Sequence, residues 1–421
     1  MFALVVAGEI VFGLPFHTAR FFRPTLLEVF GFTNTQLGDL FAVYGITAMV
    51  SYFPGGALAD RFPARSLLTA SLFTTGAGGL FMATIPAAEP MGLLYGFWGV
   101  TTIFLFWGAL IRATREWGGE STQGLAFGIL EGGRGLVAAL IASFALAIFA
   151  SIMPENANLA TDDLRRAGMR SIILVYTAAA FAAGVLAWFT VPVPDAAGYR
   201  SRHPLRGMAR VLRRPVIWAH AAVIVCAYCA YKGLDNYSLY AVQVLGMDEV
   251  RGAALSTWGG WIRPFAAVVA GVVADRCNAA RSIGVSFAVL VFSWTVLGLS
   301  SAGAAPLNFI YLNLFVTFFA VFALRGIYFA LLEENRTPPY LTGAAVGLVS
   351  LVGYTPEVFF APITGRILDA NPGAVGFRHY FLFLAGTALL GIFAIMFLLR
   401  LRRRGSLWPS EQHPEYGSAE K

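Results

Sequence analysis

Gly56-Ala57-Leu58-Ala59-Asp60-Arg61-Phe62-Pro63-Ala64-Arg65 is a short polar turn between two long apolar runs, and the chain carries it twice. The second copy is Gly271-Val272-Val273-Ala274-Asp275-Arg276-Cys277-Asn278-Ala279-Ala280-Arg281, so Asp275 follows Asp60 by 215 positions. That offset is about half of the 421 residues, and two similar units in tandem follow from it. The flanking apolar runs approach the roughly 20 residues that a helix needs to cross a bilayer.

The composition agrees. The chain is 57% hydrophobic and 13% charged, with a mean hydropathy of +0.68. A soluble domain has about twice that charged share. Backbone groups in lipid must bond within their own segment, so the spans are helices. They are expected at 2–29, 35–58, 67–86, 91–113, 124–153 and 168–191, then at 215–245, 252–273, 283–302, 307–332, 341–368 and 378–400. The first run starts at Met1 and outlasts a signal-peptide core, so it reads as a span. The prediction is an all-α membrane protein with an N-terminal six-helix bundle (1–191), a basic connector (192–214), a C-terminal six-helix bundle (215–400) and a tail (401–421).

The pattern Gly-x-Leu-Ala-Asp-Arg-x-x-x-Arg resembles the loop between helices two and three of the major facilitator superfamily. The resemblance implies twelve transmembrane helices in two pseudo-symmetric bundles, with half-chains built from inverted three-helix repeats. It also implies a gate in which the acid meets basic groups and a helix N-terminus, where the dipole favours a carboxylate. Asp60, Arg61 and Arg65 are the gate candidates, with Asp275, Arg276 and Arg281 as their counterparts. Phe62-Pro63-Ala64 departs from the family's usual glycine turn.

A narrower resemblance lies in Tyr231-Lys232-Gly233-Leu234-Asp235-Asn236-Tyr237, which is distantly similar to the organophosphate:phosphate antiporter family. There an arginine ahead of a Gly-x-Leu-Asp-aromatic run binds phosphate. Residues 31–38, 112–117 and 124–128 continue the likeness. Lys232 stands where that arginine would be, and His17 stands at the first-span arginine. Glu131-Gly132-Gly133-Arg134 replaces the family's fifth-span Asn and His. Phosphate specificity therefore does not carry over.

The formal charge of +7 reads as topology. The connector holds Arg200, Arg202, Arg206, Arg210, Arg213 and Arg214, and could lie as an amphipathic helix on anionic lipid. The tail adds Arg402, Arg403 and Arg404, and the two polar turns add theirs to the same side. By the positive-inside rule both termini are cytoplasmic, in a plasma membrane of the bacterial inner-membrane type. One loop runs against the rule with Arg165, Arg166 and Arg170, partly offset by Glu155, Asp162 and Asp163. No solvated basic domain suggests nucleic-acid binding. Cys226 and Cys229 have no His or Cys cluster to join and read as small packing residues, so no metal is expected. A phosphate-binding Gly-x-x-x-x-Gly-Lys-Ser/Thr loop is lacking, as is any nucleophile–base pair at recognisable spacing, so neither a cofactor nor an enzyme is expected. The expected partners are a small solute and the bilayer, and the chain is expected to act as a monomer.

Ionisable groups inside spans are costly and mark function. At the repeat offset, His17 matches Lys232 and Arg20 matches Asp235, all near the middle of the first and seventh spans. Arg20 and Lys232, one from each half, suit an anion, since Arg grips oxyanions bidentately and Lys acts as a point charge. A structural Arg20–Asp235 pair is the alternative. His17, Arg263, Tyr231 and Trp261 join them as substrate contacts, within a cluster of aromatics that includes Phe16, Tyr228 and Trp258. Arg325 is read as snorkelling from near a helix end. Glu357, Glu9 and Asp235 are the proton-coupling candidates, because a carboxyl in low dielectric holds its proton and opening to water releases it. Charge balance of Glu357 against Arg263 is the competing reading. Glu131 and Arg134, three apart, are assigned a local ion pair with a gating role. Secondary active transport of a small organic anion is the leading function, and a non-transporting receptor on the same scaffold is the alternative.

Overall fold

The computed structural model describes residues 1–119, 122–193, 210–300 and 306–404. Connector residues 194–209, where the amphipathic helix is expected, and tail residues 405–421 lie outside the described residues.

Helices form twelve rods among the described residues. In the first half, α1 covers 2–30 in four pieces, followed by α2 (Asn34–Ala59), α3 (Ala64–Met82), α4 (Ala88–Gly118), α5 (Gln123–Ile152) and α6 (Asp162–Thr190). In the second half, α7 (Pro215–Gln243), α8 (Glu249–Cys277), α9 (Ala279–Leu299), α10 (Leu307–Glu334), α11 (Pro339–Gly353 with Pro356–Ala370) and α12 (Ala374–Arg403) repeat the order. Eight rods are long and apolar enough to span a membrane singly, and bent α1 makes a ninth. The remaining α2, α3 and α8 are diluted by Gly, Ser and Thr or carry charges.

Local chemistry sets the ends. Thr33 and Gln36 form a capping box at the start of α2, and 215 positions later Asp248 caps α8 by accepting from the Arg251 N–H. The third rod starts earlier than expected because Pro63 places Ala64 at its first turn, and the sixth starts at Asp162 because Thr161 caps it. α1 bends by 43° at Val11–Phe12, just before a π-helical turn over Gly13–His17 that includes Pro15. α7 tightens at Leu234–Asn236, close to the same depth in the repeat. The broken pieces of α1 and α7 hold the charged candidates.

Within each half the outer rods pack pairwise, α3 on α6 and α9 on α12. The halves meet along α2 against α11 and α5 against α8. Gly45 makes the first contact close: a Cβ there would stand 2.8 Å from the Glu357 carbonyl carbon. Alternation of the rods puts residues 1 and 403 and both polar turns at one end of the bundle, here the terminal end.

Candidate functional site

The inner faces of α1, α2, α4, α5, α7, α10 and α11 enclose a cavity of about 100 Å³ between the halves. Glu9, His17, Arg20, Arg134, Lys232, Arg325 and Glu357 reach it, among the rings of Phe12, Phe16, Tyr44, Tyr52, Trp107, Tyr228, Tyr231 and Tyr354. A larger groove of about 480 Å³ between α9 and α10 is lined by Val285, Phe292 and Leu312, all more than 60% exposed. It holds no charged group and suits lipid chains.

Two ion-pair clusters cross the cavity. In the first, Arg20 Nε lies 2.5 Å from Asp235 Oδ1 and its Nη1 donates to the Tyr231 hydroxyl at 2.5 Å. Lys232 Nζ reaches Asp235 at 3.0 Å and Glu357 at 3.3 Å, and Tyr228 donates to Glu357. Lys232 is only 1% exposed, with the Phe16 and Phe41 rings 4.6 and 4.8 Å from its ammonium. In the second cluster, Glu9 receives Arg134 and Arg263, each at 3.0 Å, with His17 Nε2 at 3.4 Å. Arg134 also holds Glu131 at 2.6 Å. Asp235 and Glu9 are thus each held by two cations, one from each half. Glu357 is held more loosely, since its Oε2 makes no hydrogen bond.

The end opposite the termini is latched. Glu249 of α8 accepts from Thr25 of α1 and from Arg165 of α6, both at 2.7 Å. Asp369 of α11 accepts from the Asn34 N–H at 3.1 Å, the Asn34 side chain at 3.0 Å and the Thr35 N–H at 2.7 Å, at the N-terminus of α2. The exposed pair Asp39–Arg366 lies nearby at 2.9 Å. Between described residues, the ion pairs joining the halves lie at this end or at the cavity. At the terminal end Asp60, Arg61, Asp275, Arg276 and Arg281 are exposed, while Arg65 stacks 4.8 Å over Trp188 of its own half.

The sequence profile described as Major Facilitator Superfamily matches residues 5–361. The chain belongs to this superfamily. Among its relatives, the inner membrane protein YqcE of Escherichia coli (strain K12) is 27% identical over 90% of this chain and 88% of its own. The inner membrane protein YihN of the same organism is 26% identical over 95% of both. A probable nitrate/nitrite antiporter NarK1 of Thermus thermophilus is 25% identical over 70% of this chain and 64% of its own. The nucleoside transporter NupG (D323A mutant) superposes with a TM-score of 0.71 at 13% identity, covering 94% of this chain and 98% of that one. A bacterial homologue of the lysosomal transporter Spinster, inward-facing and unoccupied, gives 0.67 at 12% identity over 96% and 99%. The family and fold are those of a multi-pass membrane transporter.

Within this facilitator frame, Arg20, Lys232, His17 and Tyr231 line one cavity, as read from the sequence. Arg20 and Asp235 also form the cross-half pair that was the competing reading. Three expectations are corrected. Arg263 balances Glu9 rather than Glu357, which pairs with Lys232 instead. Trp261 is turned to the α5–α8 contact, donating to Ser143 at 3.0 Å, and Trp258 is 71% exposed. Arg325 does not snorkel: it lines the cavity, with its guanidinium 4.0 Å from the Tyr231 ring centre. The basic loop that ran against the charge rule is explained in part, because Arg165 lies within α6 and is neutralised by Glu249 and Glu28. Tyr44, Tyr52 and Trp107 went unread; Tyr44, Ala48 and Tyr52 recur every four residues on one face of α2, a signal that many α-helical core stripes share.

Proposed function

We propose that this facilitator moves a small organic anion, of the carboxylate or phosphate-ester class, across the bacterial inner membrane by alternating access. The gradient is one of protons or of a counter-substrate, and the termini face the cytoplasm. The observation that carries this reading is the charge count at the cavity. Arg20, Arg134, Lys232 and Arg325 line it with Glu9 and Glu357, and the partners directly behind them add Arg263, Asp235 and the half-exposed Glu131. Buried charge without a match is costly, and an entering anion supplies the match. The name of the nitrate/nitrite relative supports an anionic cargo, though an inorganic one.

In this reading the latches at Glu249 and Asp369 hold the outer side shut. The turns at Asp60 and Asp275 close the cytoplasmic side when those latches release, and Glu131–Arg134 follows the movement of α5 against α8. Glu357 is assigned the proton, because Glu9 and Asp235 are each held by two cations. Uptake into proteoliposomes tests the whole. Labelled benzoate, succinate, glucuronate and glucose 6-phosphate are offered with an inward proton gradient, and with each anion preloaded for exchange. At least one should accumulate, and Arg20→Ala and Lys232→Ala should abolish it while leaving folded protein. Accumulation of none under either condition refutes anion transport, and saturable binding without flux would point to a receptor.

A further inference from the structure

The cations on the cavity wall and just behind it are not equivalent. Arg20, Arg134, Lys232 and Arg263 each have a carboxylate within 3.0 Å. Arg325 has no hydrogen bond or ion pair to any described residue, and its Nε and Nη1 are buried without a partner. Its guanidinium faces rings, 4.0 Å from the centre of Tyr231 and 5.8 Å from that of Tyr228. A ring face attracts the cation but leaves in-plane N–H groups unsatisfied. Buried donors almost always have acceptors, so an acceptor is the missing component here.

We propose that Arg325 is the anchor for the cargo's anionic group, and that the cargo is a ring-bearing monoanion whose flat face lies against the neighbouring tyrosines. The proposal deepens the anion reading above and rests on it. The single charge follows from Arg325, since Arg20, Arg134 and Lys232 on the wall and Arg263 behind Glu9 each already have a carboxylate. The oxyanion is a carboxylate or a comparable group, which the guanidinium fork grips through two N–H donors. The ring follows from the walls. Tyr228 packs on Tyr231 and Tyr354, with centres 5.7 and 5.0 Å apart, and Tyr52 lines the cavity near them. Such faces take an aromatic ring or the apolar face of a sugar ring, while the Tyr228, Tyr231 and Tyr354 hydroxyls are already held by Glu357, Arg20 and Tyr328. Tyr231 also accepts from Arg20, so one ring touches the anchor in the second half and a cation of the first. Cargo seated on Arg325 is thereby sensed by both halves.

Binding to the purified full-length protein is measured calorimetrically with benzoate and glucuronate, with their neutral counterparts benzyl alcohol and glucose, and with acyclic succinate. Wild type should bind at least one ring-bearing anion in preference to its neutral counterpart. Arg325→Gln should weaken that anion about ten- to a hundredfold, the range for one charge-assisted contact. Arg325→Lys should recover part of it, and the neutral compounds should be indifferent to both substitutions. Anion affinity unchanged in an Arg325→Gln protein that melts like wild type overturns the anchor. Should that variant not fold, Arg325→Lys carries the test, and wild-type affinity without the fork overturns it equally. Binding of succinate but of neither ring-bearing anion overturns this proposal and leaves the anion reading standing. Binding of none of the three anions removes both.

Discussion

Glu249→Gln isolates the latch at the end opposite the termini. The Glu249 carboxylate is 7% exposed and joins three rods, taking Thr25 of α1 and Arg165 of α6 at 2.7 Å each. Glutamine keeps the shape and one acceptor oxygen but removes the charge. A hydrogen bond to a charged group contributes about 1.5–3 kcal/mol and a neutral one about 0.5–1.5 kcal/mol, so the substitution costs about 1–2 kcal/mol. Arg165 keeps Glu28 at 3.2 Å, but that acid is half-exposed and contributes at most about 1 kcal/mol. The loss falls only on the state closed at this end, so the population open there should rise about five- to thirtyfold.

The assay reads accessibility from that side. Met49 lines the cavity, so Met49→Cys reports on entry of a membrane-impermeant maleimide. The background needs only Cys277→Ser, since Cys277 is exposed whereas Cys226 and Cys229 are buried. Labelling from the side opposite the termini should quicken by the same five- to thirtyfold in Glu249→Gln. Arg165→Gln should act similarly, and the double variant should add little, because both remove one interaction. An unchanged labelling rate, or fully additive effects, would refute the latch.

Two further outcomes are expected. Glu357→Gln should abolish the pH dependence of net uptake while exchange of cargo across the membrane persists; pH dependence equal to wild type would return the proton to Glu9, His17 or no side chain at all. Asp235→Asn leaves Arg20 and Lys232 buried beside each other without the acid between them, a change that costs about 3–5 kcal/mol. Adding Lys232→Met should restore part of the melting temperature, and a single variant as stable as wild type would show that the pair contributes nothing.

What the sequence made legible was whatever repeats or is dear in lipid. The offset of 215 marked Arg20 and Asp235 as equivalents, and these two residues meet at 2.5 Å. The expense of burying charge pointed to Glu9, Lys232 and Glu357 without saying which acid pairs with which base, because pairing depends on the rotation of each rod about its axis. Arg263 went to Glu9 for that reason. Arg325 departs from the expectation because depth alone does not decide a side chain's surroundings: nine positions from the end of α10 is near an interface for a lipid-facing side chain, but Arg325 faces Tyr231. The latch at Asp369 escaped notice because its partners are largely backbone N–H groups at a helix start, for which no side-chain pattern exists.

The repeat also explains why the central pair and the latches differ in kind. Positions exchanged by a pseudo-two-fold operation touch each other only close to its axis, and Arg20 and Asp235 do so. A point near the axis and at mid-depth moves little when two halves rock, so that pair can persist in both end states and serves as a pivot. Asn34 and Glu249 are equivalents by the same offset, yet each bonds elsewhere in the opposite half, Asn34 to Asp369 on α11 and Glu249 to Thr25 on α1. They stand off the axis near one end, where rocking separates partners most. Asp235→Asn should therefore lower stability in both states alike and leave Met49→Cys labelling nearly unchanged, while Glu249→Gln should shift labelling with a smaller loss in melting temperature than Asp235→Asn. The reverse assignment of these two readouts would place the pivot elsewhere.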